Sequence, residues 1–124
     1  MTDWSSTPRV DGLADLRDAL RRFAAEREWE QFHTPKNLAI ALSIEASELL
    51  EHFLWAVDGD SGHLTPEKHQ EVSEEAADVL LYLVRLADKL GIDLLEAANS
   101  KMDRNAEKYP VSKARGSSKK YTEL

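Results

Sequence analysis

At 124 residues the chain is long enough for one domain with a core of its own. It is 42% hydrophobic and 31% charged, which excludes a disordered chain, and it has no cysteine, which excludes disulfides and thiolate metal sites. A net charge of −7 argues against broad nucleic-acid binding.

Met1 to Asp11 is polar, carries Pro8 and does not read as a secretory leader; residues 1–12 are expected to form a loose arm. Leu13, Leu16, Leu20, Phe23 and Ala24 share one face, so a helix is expected from Leu13 to Arg27. Trp29 to His33 forms an aromatic connector. Thr34-Pro35 then signals a helix start, with a capping hydroxyl followed by proline in the first turn, and the helix should run to about Val57. Asp58 to Gly62 reads as a loop. Thr65-Pro66 repeats the start signal for a third helix, expected to end near Gly91. Asp93 can cap a fourth helix reaching Lys108 and stopped by Pro110. Val111 to Leu124 is polar and is expected to lack regular structure.

No period-two pattern marks a strand, so the fold is predicted to be all-α, a four-helix bundle-like subunit over 13–110 with a basic tail at 111–124. Val79 to Ala87 is apolar nearly all round the third helix. A helix of that kind must be covered on every side, which a chain this short hardly does alone; a homo-oligomer, dimer or tetramer, is expected. No apolar run approaches the ~20 residues that cross a bilayer, and with the absence of cysteine this suits a cytoplasmic protein.

The chemistry concentrates in two carboxylate pairs, Glu45/Glu48 and Glu75/Asp78, separated by 26 residues. Spacing of three places both members of a pair on one helical face. Glu45 lies within the apolar stripe of Leu38, Leu42, Leu49, Phe53 and Ala56, and Asp78 lies beside the stripe of Val72, Ala76, Val79, Leu83 and Leu90. Carboxylates on core-facing stripes are costly unless paired or bound to a cation. All-oxygen ligands favour Mg²⁺ or Mn²⁺. A di-iron bundle needs Glu-x-x-His on two helices, and the nearby His52 follows Glu48 by four with no counterpart beside Asp78.

Seven basic residues between Lys101 and Lys120 face only Asp103 and Glu107, a local excess of +5. On the fourth helix Lys101, Asn105 and Tyr109 recur one turn apart, a cation, an amide and a phenol suited to phosphate oxygens. Trp29, Phe32 and His33 precede the second helix and Trp55 ends it, where an aromatic ring could stack on a base.

With these motifs the chain resembles the MazG-like all-α nucleoside triphosphate pyrophosphohydrolases. Besides the paired acids, Phe23 to His33, Lys36-Asn37-Leu38, Ser100 to Asp103, Lys108 to Val111, Arg115-Gly116-Ser117 and Lys120-Tyr121-Thr122 look like the dCTP pyrophosphatase branch. The resemblance implies cleavage of dCTP, or a 5-substituted dCTP, to the monophosphate and pyrophosphate, in a helical oligomer that cleans the nucleotide pool. It implies metal ligation by Glu45, Glu48, Glu75 and Asp78, and nucleotide contacts from Trp29, His33, Trp55, Tyr82, Lys101, Asn105 and Tyr109. Glu48 is the expected acceptor of the proton from attacking water, and Lys101 the expected counter-charge for the leaving group. Two departures, the short glycine-rich loop after Trp55 and Leu20 in the first helix, bear on base preference. A broader nucleotide hydrolase and a non-catalytic cation-binding helical assembly are the alternatives.

Overall fold

The computed structural model describes residues 9–54 and 64–124. The elements are α1 (Leu13–Glu26), α2 (Pro35–Glu51), α3 (Pro66–Lys89), α4 (Leu94–Lys108), a single turn α5 (Val111–Ala114) and a 3₁₀ turn at Tyr121–Glu123, with no strand among the described residues. They divide into two compact units after Gly91.

In the first unit α2 packs along α3, and α1 lies against α3. Both helices of the central pair start as their sequences predict. The Thr34 hydroxyl accepts from the Asn37 N–H at 3.1 Å, and that of Thr65 accepts from the Lys68 N–H at 3.2 Å, each with proline in the first turn. α1 ends as the Arg27 and Glu28 N–H groups bond back to Ala24 and Ala25, and Glu28 takes a left-handed φ of 54°. α3 ends at Leu90, with Gly91 at φ 67°, the conformation that favours glycine at this position.

α2 is shorter than its sequence suggests. After Glu51 the N–H groups of His52, Phe53 and Leu54 bond three residues back instead of four, so the helix tightens and stops. Trp55, Ala56, Val57 and the Asp58–Gly62 loop lie outside the described residues.

The fully buried apolar side chains described are Ala24, Leu38, Val84 and Ala87. Around them Leu42, Leu49, Val72, Val79 and Leu86 are partly covered. The inward face of α3 is rotated from the apolar stripe expected of it: Ala76, Leu83 and Leu90 are exposed, whereas Glu75, Asp78, Tyr82 and Arg85 are partly or fully covered. The face that packs carries Glu75, Asp78, Tyr82 and Arg85 beside Val72, Val79, Val84 and Ala87, while part of the expected apolar stripe points to solvent.

Arg85 anchors a charged clamp. It is 4% exposed, and all three arms of its guanidinium are engaged: Nε donates to His33 Nδ1 at 3.1 Å, Nη1 to Asp88 Oδ2 at 3.3 Å, and Nη2 to Glu30. Arg21 on α1 donates to Asp88 through Nε at 2.7 Å and Nη2 at 2.5 Å, and Lys89 donates to Glu30. The clamp ties α1 and the connector to α3. Its carboxylates are held below their ordinary range, Asp88 by the hydrogen bond from Arg21 and Glu30 by those from Lys89 and Arg85.

In the second unit Asp93 caps α4, accepting from the Glu96 N–H at 3.0 Å. The segment after it is more regular than expected. Pro110 fixes its own φ and accepts from the Lys113 and Ala114 N–H groups at 2.9 Å, which opens α5. Tyr121 then meets the ring of Tyr109 edge-on at 6.1 Å, with the Lys108 ammonium 4.8 Å from its centroid.

Candidate metal centre

The packing of α2 on α3 gathers the acids that the sequence places on separate helices. Glu45 and Glu48 on α2 and Glu75 on α3 each present a carboxylate oxygen within 4.8 Å of the others, all three partly covered. Asp78, one turn beyond Glu75, is not part of that closest group, but its charge acts on Glu45. Unit negative charges at such separations repel by roughly 3–4 kcal/mol at an effective dielectric of 20, a large share of a domain's stability. The protein answers by protonation: Glu45 is raised to about 7, first by burial, then by hydrogen bonds with Glu48 and Glu75, then by the charges of Glu48 and Asp78.

These residues fit a divalent cation. Glu75 Oε2 is buried with no hydrogen-bond partner among the described residues. A buried, unpartnered carboxylate oxygen beside two further carboxylates is an incomplete arrangement without a positive charge. His52 Nδ1 is likewise buried without a partner, 3.8 Å from Glu71 Oε2; Glu71 belongs to the exposed ladder that includes Lys68, and His52 is not among the clustered ligands.

The other residues singled out in the sequence are distributed as follows. Tyr82 is partly covered on the same face of α3 as Glu75 and Asp78. Trp29 is half exposed, edge-on to Phe23 at 5.7 Å and to His33 at 6.0 Å. The His33 ring is held by Arg85, and its affinity for a proton is lowered by burial and by the Arg85 charge, with Glu30 opposing. Phe32 is exposed. Lys101 at the middle of α4 and Asn105 fall on successive turns and Tyr109 follows as the C-cap of the helix, Lys101 exposed and the other two partly covered. Trp55 lies outside the described residues. Sequence reasoning missed Arg85 and Glu30. The available signal was a lone cation inside the apolar run from Val79 to Ala87, which is costly unless its partners are near.

The sequence model of the MazG-like family matches residues 40–124. The chain is 50% identical to human dCTP pyrophosphatase 1 over 114 residues, covering 90% of this chain and 67% of that protein. It is 45% identical to the Bos taurus dCTP pyrophosphatase 1 over 123 residues, covering 98% and 71%. Among solved structures it is similar to a pyrophosphatase from Archaeoglobus fulgidus DSM 4304, with a TM-score of 0.65 and 39% identity over 84% of this chain and 97% of that one.

Proposed function

The chain belongs to the MazG-like family, in its dCTP pyrophosphatase branch, and as such a hydrolase we propose that it cleaves dCTP, or a 5-substituted dCTP, to the monophosphate and pyrophosphate. The observation that carries this reading is the convergence of Glu45, Glu48 and Glu75 from two helices, with Glu75 Oε2 left unpartnered.

Glu45, Glu48, Glu75 and Asp78 would hold Mg²⁺ or Mn²⁺. The bound cation would supply positive charge to the phosphate oxygens and acidify water. Glu48 orients a water toward the α-phosphorus and accepts its proton as the bond from that phosphorus to the bridging oxygen breaks. Lys101 offsets charge on the departing pyrophosphate, and Asn105 and Tyr109 bond phosphate oxygens; these assignments rest on the motif they share with the family. Trp29 and Trp55 provide stacking surface for the base, His33 reads its edge and Tyr82 completes the nucleotide contacts. The reaction removes one nucleotide from the triphosphate pool, a house-cleaning role suited to the cytoplasm.

The proposal includes a second copy of the chain. Ile40, Ile44 and Leu50 lie in one arc along α2 with Leu54 just past its end, and Leu80 and Leu83 in one arc of α3 with Leu90 at its C-cap, all exposed, with Leu50 at 60%. Fully burying a leucine or isoleucine is worth ~1.5–3 kcal/mol, so covering these half-exposed side chains would stabilise an assembly by several kcal/mol. A dimer or tetramer covers them.

The test of the reaction is incubation with each of the four dNTPs and Mg²⁺, with products resolved chromatographically. Expected are dCMP and pyrophosphate in equal amounts from dCTP, in preference to the other three. Release of orthophosphate instead, or no turnover of any dNTP, would overturn the reading; equal turnover of all four would replace it with a broad nucleotide hydrolase.

A further inference from the structure

The geometry points to Arg85 as a positioning residue that holds the His33 imidazole with Nδ1 as an acceptor, so that Nε2–H is presented as a fixed donor to the edge of the base. The inference rests on the reading of His33 as a base-side residue and adds a specificity device to it.

A guanidinium has five N–H donors, no acceptor, and does not deprotonate in proteins. The nitrogen opposite Arg85 Nε must therefore offer a lone pair. That nitrogen is His33 Nδ1, at 3.1 Å. The neutral ring then carries its proton on Nε2. The guanidinium is not free to turn away, because Nη1 is engaged by Asp88 and Nη2 by Glu30, and the plane of the fork fixes all three directions together. Asp88 is held in turn by Arg21, and Glu30 by Lys89. The backbone supports the ring as well: the His33 N–H bonds to the carbonyls of Trp29 and Glu30, and the Trp29 ring stands edge-on to the imidazole. Arg85 is buried and is no member of the acid cluster, and its contact with the His33 ring is what joins the clamp to the proposed base side.

The consequence is chemical. Cytosine offers two adjacent acceptors, O2 and N3, whereas uracil carries a proton on N3. A donor that cannot exchange roles favours the first pattern and leaves an N–H opposite an N–H with the second. A freely rotating imidazole, or one whose proton moves to Nδ1 and leaves Nε2 an acceptor for the N3–H of uracil, discriminates less. The charged groups acting on His33 are Arg85 and Lys89 from α3 and Glu30 from the connector. Burial and Arg85 oppose protonation of the ring, with Glu30 acting the other way, which keeps the Nδ1 lone pair free to accept from Arg85.

Long-range proton–nitrogen NMR on full-length protein labelled with ¹⁵N-histidine reads the ring directly, with the His33 signals assigned by their loss in His33→Gln. The expected wild-type result is a proton on Nε2, none on Nδ1, and a titration midpoint below that of an ordinary histidine. Arg85→Met should raise that midpoint and let Nδ1 protonate. It should also lower the preference for dCTP over dUTP roughly 3- to 10-fold, carried by KM, as for one lost hydrogen bond. Arg85→Lys, which keeps a donor, should recover part of both effects. A proton on His33 Nδ1 in the wild-type protein overturns the inference whether or not Arg85→Met folds, and so does an unchanged ring in Arg85→Met. An expected ring with undiminished dCTP preference in His33→Ala overturns the base-edge role. Failure of the wild-type protein to hydrolyse any dNTP overturns the proposed reaction, and is distinguishable because the ring measurement needs no turnover.

Discussion

Glu45 on α2 and Glu75 on α3 bring carboxylate oxygens within 4.8 Å of each other across the helix pair, and burial together with that crowding raises Glu45 to about 7, so that it keeps a proton at mildly acidic pH. In the absence of a cation that proton belongs to the fold. The first prediction concerns its loss. Glu45 titrates near 7 when folded, against an ordinary value of 4.5. The native state thus holds an extra proton between those values, and the stability of the metal-free protein falls as pH rises from about 4.5 to about 7. Thermal melts in chelator across that range should show Tm decreasing. Glu45→Gln should flatten the slope and raise Tm at pH 8. Addition of Mg²⁺ should raise Tm most above pH 7.

The second prediction is the same linkage seen from the cation. Binding Mg²⁺ must displace the Glu45 proton, so affinity should weaken as pH falls below about 7. Calorimetry at pH 6 in two buffers of different ionisation enthalpy should report release of about one proton per site. No proton release at pH 6 would place the cation away from Glu45.

Removal of a ligand provides the third. Glu45→Gln and Asp78→Asn should each lower kcat/KM by at least ~100-fold at limiting Mg²⁺ while preserving the helical circular dichroism spectrum. Asp78 lies outside the closest group of three, so its variant tests whether the fourth acid completes the site when the cation is present.

The fourth concerns the clamp. Asp88→Ala leaves Arg85 buried beside one carboxylate instead of two. Breaking a buried pair costs ~3–5 kcal/mol, and because Arg21 remains half exposed a loss of about 2–3 kcal/mol is expected in urea denaturation. Glu30 and Asp88 are both depressed when folded, so their contribution is present above the ordinary carboxylate range and is lost as pH falls through their lower folded values. Opposed to the Glu45 effect, this places maximum stability of the metal-free protein at mildly acidic pH.

The fifth tests assembly. Light scattering at micromolar concentration should report a dimer or larger species, and Ile44→Glu or Leu83→Glu, each placing a charge on an exposed apolar arc, should shift it toward monomer with loss of Tm. A stable wild-type monomer at that concentration would leave both arcs unexplained.

Helix starts were legible because Thr34-Pro35, Thr65-Pro66 and Asp93 act locally, through a side-chain oxygen that reaches a backbone N–H three residues on. The acid pairs were legible for the same reason, since spacing of three fixes a shared face. The face of α3 was not: Leu83 and Leu90 are as apolar as Val84 and Ala87, and hydrophobicity alone does not say which side meets α2 and which remains exposed. Arg85 was missed because its cost as a buried cation is offset by Glu30, 55 residues away, a pairing that only the tertiary fold brings about. The early end of α2 depends on a tightened last turn with no proline or glycine to announce it.

The capping threonines have a further consequence, for length. Glu45 follows Thr34 by eleven positions and Glu75 follows Thr65 by ten, so each acid lies about three turns, ~15 Å, from a fixed origin. One residue inserted or deleted between cap and carboxylate would turn that side chain by ~100° and carry it off the common face, whatever the identity of the added residue. Residues 35–44 and 66–74 therefore work as spacers: outside the packed positions Leu38, Leu42 and Val72 their composition can drift, while their number cannot. Among sequences sharing this arrangement, gaps should fall between the two helices or beyond their far ends, and never inside these two intervals.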